Sequence, residues 1–483
     1  MRKRFEQQLS LGQVPISNVK INCKGRDGFS KLLRALQELF IKSEYNEKIF
    51  NILEQKIMKG KKATGRNGMD LWMIFVLAQT RLCLNVSYDR LHDLSNNHRT
   101  LRQIMGIEYE DGFKERVEIE YQNIIDNVSL LDDSTIQDIN EIIVEMGHNV
   151  FKKKEAEALC LKTDSFVVES NIHFPTDYNL MFDSARKSLD MIEKLISANP
   201  AIKGWRKLND WRNSMKSLMR NLGQAQKGGG KNKDERKLAA AENYVKKGRL
   251  LSQKIDNEKK NLPLITETDL VLHILLDKYK QLLDKHIDLV LRRIIKGEEI
   301  PHHEKTFSIF EEYTEWITKG KQYPNVELGK NLQITTDQHH LIIDYKIMEN
   351  EVDKGCVISL ADRILSKFVV KSWSFDKGFY SKENKELLKL YVALTIMPKK
   401  GKLNQEEKAE EKERKFKKFR NKHSAVESNI NELECKGLDR CPDRGYDHFR
   451  RYIALGICSY NLHRIGAKLL KDEKEIQRYK IAA

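Results

Sequence analysis

The sequence of 483 residues lacks the features that mark several large classes of protein. Its seven cysteines are scattered, and no C-x-x-C pair or neighbouring histidine pair indicates a zinc site. Residues 71–84 are apolar but too short and too interrupted to span a bilayer, and the N-terminus lacks the apolar segment of a secretory signal. These absences predict a soluble, cytoplasmic protein with free thiols and no membrane contact.

A nucleotide-binding phosphate loop is also missing. The glycine run that begins at Lys227 does not have the G-x-x-x-x-G-K-[ST] frame, and no predicted strand precedes it. What the chain has in excess is positive charge, with 86 Lys and Arg against 70 Asp and Glu and a net charge of +16. This excess favours a polyanionic partner, nucleic acid before membrane, although a basic soluble protein of another kind fits the charge equally well.

Residues 1–150 show apolar residues at helical spacing and are predicted to form an all-α N-terminal region. Within it, residues 87–106 read as two short helices across a polar break, with Ser87 as the N-cap of the first. This pattern permits a helix-turn-helix in which Arg99 and Arg102 contact DNA. A helical bundle with solvated charges is an equally good interpretation.

The rest of the chain predicts an α/β domain split by a helical insertion. Residues 155–179 contain a first strand, residues 180–318 are helical, and residues 319–475 alternate strands and helices. The strands after the insertion begin with a hairpin, so the prediction is a mixed sheet of five strands.

Three carboxylates occupy positions suited to chemistry. Asp164 lies on the first strand, Asp376 follows a later strand, and Glu427 lies on a charged helix predicted over residues 404–433. Brought together, they would hold two Mg²⁺ or Mn²⁺ ions in the arrangement that supports phosphoryl transfer. Glu169 and Asp337 are rival acids with weaker claims.

The helix that carries Glu427 also carries a basic stripe. Lys417 lies in its charged run, and Arg420 and His423 share a face with Glu427. These basic residues are expected to contact a nucleic-acid backbone that leads to the acid.

Several motifs together resemble the DDE transposases of bacterial insertion sequences, closest to the ISNCY-type group. The resemblance covers nearly the whole chain, and its motifs are Gly65-Arg-Asn-Gly-Met-Asp-Leu-Trp72, Tyr88-Asp-Arg-Leu91, Thr163 to Asp177, Asp376-Lys-Gly-Phe-Tyr-Ser381, His423-Ser-Ala-Val-Glu-Ser-Asn-Ile-Asn431, and the segment from Arg444-Gly to Asn461-Leu.

The resemblance implies an RNase H-like catalytic fold, with Asp164, Asp376 and Glu427 as the catalytic triad and Mg²⁺ as cofactor. It also implies cleavage at the inverted repeats of an element, transfer of the 3′-OH ends into target DNA, and action as a homodimer or larger assembly on DNA in the nucleoid. Some related transposases have a Tyr-x-x-Arg-x-x-x-Glu-x-x-x-x-x-x-Lys signature. Here Arg420, His423 and Glu434 stand at its Tyr, Arg and Lys positions, so Arg420 and His423 are expected to supply the basic functions.

Two other functions remain compatible with the sequence. One is a DNA-binding protein without chemistry, such as a decayed or domesticated copy, and the other is a metal-dependent nuclease that cleaves without joining strands. The presence of all three acids favours the transposase over the decayed copy. A nuclease would use the same acids, so the sequence does not separate it from a transposase.

Overall fold

The computed structural model describes residues 2–5, 12–22, 28–60, 68–109, 116–154, 157–197, 204–318 and 325–482. The chain forms two compact units. The first contains Met1–Asn171 together with Glu315–Ala483, and the second contains Ile172–Thr314. The second unit corresponds to the insertion predicted over residues 180–318.

The N-terminal part of the first unit is a helical bundle whose described residues form α1 (Phe29–Ile41), α2 (Ser43–Ile57), α3 (Leu71–Cys83), α4 (Tyr88–Asn97), α5 (Arg99–Ile104), α6 (Tyr121–Val128) and α7 (Asp133–Val150). Every residue of α3 is buried, as expected for a helix that is apolar on all sides. The long C-terminal helix α16 (Tyr446–Ala482) packs against α1, α3 and α7. The N-terminal helices therefore share one compact unit with the C-terminal half of the chain.

In the described part of the chain the sheet of this unit is mixed and has six strands, β1 (Leu159–Glu169), β2 (Glu315–Thr318), β3 (Val326–Thr336), β4 (Ile342–Ile347), β5 (Val370–Phe375) and β6 (Leu394–Ile396). The order is β2-β3-β1-β5-β6, and β4 pairs with the second half of β3. β1 is antiparallel to β3 and parallel to β5. The mixed sheet is confirmed, but the number of strands was wrong, because β2 has only four residues and lies inside the range predicted to be helical.

Helices α12 (Asp353–Leu365) and α13 (Lys382–Tyr391) pack on one face of the sheet and α15 (Arg414–Leu433) on the other, while α14 (Gln405–Lys412) contacts α15. Helix α13 begins at the predicted N-cap, where the Ser381 hydroxyl accepts a hydrogen bond from the Asn384 N–H at 3.0 Å. The single helix predicted over residues 404–433 was wrong. Glu413 is extended, with φ −53° and ψ 137°, and it separates α14 from α15.

The second unit is helical and contains α8 (Asp177–Ser197), α9 (Leu208–Lys227), α10 (Lys233–Glu258) and α11 (Glu267–Val290), which continues into a π-helical turn at Leu291–Ile295. The predicted capping box is present, because the side chains of Thr266 and Asp269 each accept from the backbone N–H of the other. Leucine, isoleucine and tyrosine side chains from all four helices form one buried core.

Candidate active site

Two of the predicted catalytic acids are neighbours on parallel strands, Asp164 in the middle of β1 and Asp376 directly after β5. In the pairing of β1 with β5, Lys162 is opposite Ser374 and Thr163 is opposite Phe375. Asp164 and Asp376 are the next residue on each chain. Because neighbouring strands lie roughly 4.8 Å apart and residues at equal register share a face, the two aspartates are adjacent and on the same side of the sheet, at the point where the pairing of β1 with β5 ends.

The opposite face of these strands is core. Leu161 and Trp373, which alternate with the polar residues, pack with Val357 and Leu360 of α12. The indole Nε1 of Trp373 donates to Thr163 Oγ1 at 2.8 Å. Since side chains alternate along a strand, this packing fixes Asp164 and Asp376 on the face away from α12.

Helix α15 lies on the aspartate face and places His423 beside the strands. His423 Nδ1 lies 3.0 Å from Ser374 Oγ, and its Nε2 is buried with no hydrogen-bond partner among the described residues. Burial lowers the pKa of His423 to about 4, although the charge of Asp376 acts in the opposite direction. His423 is therefore neutral at neutral pH, and it does not serve as a permanent cation toward DNA.

Lys162 is a further charged residue on this face, two positions before Asp164. Burial lowers the pKa of its ammonium group, and its charge in turn lowers the pKa of His423. The sequence analysis missed Lys162. The signal that could have found it is strand alternation, which puts residues 162 and 164 on the same face.

Glu427 lies one helical turn after His423 on α15 and is exposed. Among the residues that the structure describes, which include all three predicted acids, no group of three or more His, Cys, Asp or Glu side chains is arranged to hold a metal ion. The structure thus places Asp164 and Asp376 at adjacent positions on neighbouring strands. The role of Glu427 as third ligand stays a prediction. Two carboxylates fit Mg²⁺, which commonly binds to proteins through one or two carboxylates, with waters and substrate phosphates completing its shell.

A third aspartate, Asp353, contacts β1 from the face opposite to Asp164. Asp353, at the start of α12, accepts a hydrogen bond from Ser165 Oγ at 2.7 Å, next to Asp164 in the chain. Its carboxylate also covers Gly378, where a Cβ atom would come within 2.5 Å of Asp353 Oδ2. Gly378 does not have a left-handed backbone, so the obstacle to a larger side chain here is space, and the Asp353 carboxylate would have to move to admit one. The sequence alone does not reveal Asp353, because its contacts come from residues 188 and 25 positions away.

The rival acid Asp337 is structural. It is fully buried, and its carboxylate accepts from the backbone N–H of His339 and Leu341 and lies 2.8 Å from His148 Nε2. Glu169 is at the far end of β1, where burial raises its pKa and Arg440 lowers it. Neither residue lies beside Asp376.

The structure corrects the predicted DNA-binding role of Arg102. Its guanidinium is buried, pairs with Glu108 and donates to the carbonyl oxygens of Ser95 and Val117. A side chain so fully satisfied inside the fold does not reach DNA. In addition, α4 and α5 are joined by His98 alone, whereas a helix-turn-helix uses a turn of three or four residues, so residues 87–106 lack that geometry.

The other predicted DNA contacts lie at the surface. Arg99, Lys417 and Arg420 are exposed. Arg420 has one acidic neighbour, Glu411, at 3.6 Å. These three side chains remain compatible with contact to a phosphate backbone.

Residues of two sequence motifs, Tyr88 and Asn461, make contacts between different elements of the fold. Tyr88 stacks on Arg81, which makes a two-pronged ion pair with Asp443. Asn461 accepts from the N–H of Ile342 and donates to its carbonyl, both at 2.9 Å, and so extends the pairing of β4 to α16. Residues 65–67 of the first motif lie outside the described residues.

Comparison with known proteins gives a family match for part of the chain. Residues 292–462 match the family model for the transposase DDE domain, a segment that runs from the end of the helical unit through β5 and α15 into α16. This segment is 171 of the 483 residues, and the match is consistent with a DDE transposase of an insertion sequence. The mixed sheet is compatible with the RNase H-like fold of such domains. No curated protein and no solved structure gave a significant match.

The match includes Asp376 and Glu427 but begins after Asp164. A DDE domain indicates an enzyme of the transposase or nuclease type, a DNA substrate and a requirement for divalent metal ions. None of the helices in the described ranges has the length and apolar character needed to cross a membrane.

Proposed function

We propose that the protein is an active DDE transposase that cuts DNA at the ends of its element and joins the freed 3′-OH ends to target DNA. The observation that carries this proposal is the placement of Asp164 and Asp376 at equal register on parallel strands, in a chain whose DDE-domain match covers the second of them.

In this proposal Asp164 and Asp376 hold Mg²⁺ or Mn²⁺, with Glu427 as the third ligand and two ions in the complete site. Bound divalent ions would activate the attacking water or 3′-OH and stabilise the leaving oxygen. The protein would keep the site rigid through two contacts. Asp353 accepts a hydrogen bond from Ser165 on the opposite face of β1, and His423 contacts Ser374 on the face of the carboxylates. A neutral His423 leaves the carboxylates free to bind cations.

The substrate in this proposal is double-stranded DNA, bound by a homodimer or larger assembly. Arg99, Lys417 and Arg420 are surface cations and would contact the backbone. Contacts of this kind give affinity without sequence specificity.

The test compares wild-type protein with Asp376→Asn on a DNA fragment that carries the element ends. The substitution keeps the size of the side chain and removes its charge, so cleavage should fall about 10³-fold or more while DNA binding stays unchanged. The matched control is Asp362→Asn, which removes an exposed charge on α12 and should cut normally. Normal cleavage by Asp376→Asn would refute the assignment.

The products separate this proposal from its two alternatives. Joined strands in the wild-type reaction identify a transposase, whereas cleaved ends that are never joined identify a nuclease. Binding without any cleavage in Mg²⁺ or Mn²⁺ identifies a DNA-binding protein that has lost its chemistry.

A further inference from the structure

The positive charge of the helical unit is concentrated on two of its helices. Residues 204–260, which contain α9 and α10, have 16 Lys and Arg against six Asp and Glu, a net charge of +10. Residues 261–314, which contain α11, have seven Lys and Arg against ten Asp and Glu, a net charge of −3. The two halves of one fold therefore differ by 13 charges.

The cations of α9 form a continuous exposed row. Lys216, Arg220 and Lys227 are exposed, and their spacing of four and then seven residues places them on one side of the helix. Lys231 and Lys233 are also exposed and continue the basic surface past the glycine run into α10.

None of these five side chains has a carboxylate within ion-pair distance among the described residues. The cations around α11 differ, because Lys278 pairs with Glu312, Arg293 with Asp177 and Lys296 with Glu298. Like charges without counter-charges repel one another in the free protein, and the binding of a polyanion relieves this repulsion.

The basic row is mounted on a packed scaffold. Helices α9 and α10 contact each other along their length, and Met215 and Leu222 of α9 are fully buried in the core of the unit. Lys247 of α10 lies over the ring of Trp211 at 4.0 Å, and Lys254 lies over Trp205 at 4.8 Å. These contacts fix the two helices together, so the exposed cations keep their spacing.

We propose that this α9–α10 surface binds the phosphate backbone of duplex DNA and is a second DNA interface, separate from the residues around the carboxylates. The proposal rests on the proposed function, because a DNA substrate is what makes duplex DNA the polyanion in question. Lys216, Arg220 and Lys227 are the principal contacts. The surface carries no base-reading geometry, so it contributes affinity that does not depend on sequence.

The test measures affinity for a non-specific duplex over a range of salt concentrations. The triple variant Lys216→Gln, Arg220→Gln and Lys227→Gln is made in the full chain and is called the hairpin variant, after the helix pair α9–α10. It should bind more weakly than wild type. The slope of log affinity against log salt is negative, and each lost phosphate contact reduces its magnitude by about 0.9, so three lost contacts should reduce the magnitude by about 2.7. The control variant, Lys278→Gln with Arg293→Gln and Lys296→Gln, loses the same charge from exposed, paired positions of the same unit and should keep nearly the wild-type slope.

Three outcomes would overturn the proposal. They are a wild-type slope in the hairpin variant, an equal loss in the control variant, and a loss of binding to anionic lipid vesicles without any loss of binding to DNA. Thermal unfolding of both variants shows whether they are folded. If the triple variant unfolds early, the three single substitutions take its place, each with an expected loss of about 0.9 in slope.

Failure of this proposal is distinguishable from failure of the proposed function. The hairpin variant should still cleave at low salt and saturating protein, and Asp376→Asn should keep the wild-type salt slope. A hairpin variant with an unchanged slope, alongside an Asp376→Asn variant that no longer cuts, rejects the second interface and leaves the transposase assignment in place.

Discussion

The two faces of β1 and β5 are built from alternate residues of the same two strands, and they have opposite characters. On one face Leu161, Trp373 and Phe375 pack into a core with α12. On the other, Lys162, Asp164, Ser374 and Asp376 meet α15 and His423. Substitutions one position apart on a strand should therefore affect different properties, folding on one face and chemistry on the other.

The difference also shows how the acidic site is kept rigid. Trp373 Nε1 donates to Thr163 Oγ1, which lies 2.7 Å from Thr335 Oγ1, so a chain of polar contacts crosses β5, β1 and β3 behind the carboxylates. Buried hydrogen bonds of this kind are costly to break. The apolar face therefore fixes the register on which the acidic face depends.

The largest expected effect comes from the apolar face. Trp373→Ala removes a fully buried indole and leaves Thr163 without its donor, so the free energy of unfolding should fall by about 3–5 kcal/mol. The neighbouring substitution Lys371→Ala, at an exposed position of β5, should change it by less than about 0.5 kcal/mol. Denaturant titrations of the two variants make the comparison, and equal losses would show that the buried indole of Trp373 does not stabilise the apolar face.

The next prediction concerns Gly378, where a substitution should lower the rate of cleavage more than it lowers the stability of the fold. Gly378→Ala would push the Asp353 carboxylate off the strand ends, so cleavage should fall by up to about 10²-fold while the protein remains folded. Gly355→Ala on α12 is the matched control, because a Cβ there meets nothing within 4 Å. Rates of cleavage and unfolding midpoints of both variants would decide, and normal cleavage by Gly378→Ala would remove Asp353 from the site.

The smallest effect expected is a dependence on pH that belongs to the acidic face. Since the pKa of His423 is about 4 in the folded protein and about 6.5 in the unfolded chain, the unfolded state binds the proton first as the pH falls. Stability contributed by neutral His423 is thus present above pH 6.5 and is lost between pH 6.5 and 4.

His423→Gln cannot titrate, so in metal-free protein it should lose less stability than wild type across this pH range. His286 in the helical unit is also buried, with a pKa of about 4, and contributes in the same direction. Only the difference between the variant and wild type therefore reports on His423. Parallel stability curves for the two proteins would show that His423 does not titrate as described.

The sequence predicted the parts of this comparison that depend on local pattern. The strands around Asp164 and Asp376, the caps at Ser87 and Ser381 and the capping box at Thr266 all follow from neighbouring residues, and all are present. The parts that arise only from distant contacts were not predictable. Arg102 carries a charge that suggests DNA, yet Glu108 and the carbonyl oxygen of Val117 bind its guanidinium. Asp353 gains its importance from Ser165 and Gly378, which no local pattern connects to it.

The interruption of the sheet by Ile172–Thr314 has a consequence for the timing of synthesis. β1 leaves the ribosome long before its partners, since Asp164 and Asp376 are separated by 212 residues, and at about 5–20 residues per second this separation lasts roughly 10–40 s. During that interval the nascent chain contains Asp164 but does not yet contain the complete β5 and Asp376. Under the proposed function, a chain that is terminated before β5 therefore lacks the second of the two carboxylates that would hold the metal ions.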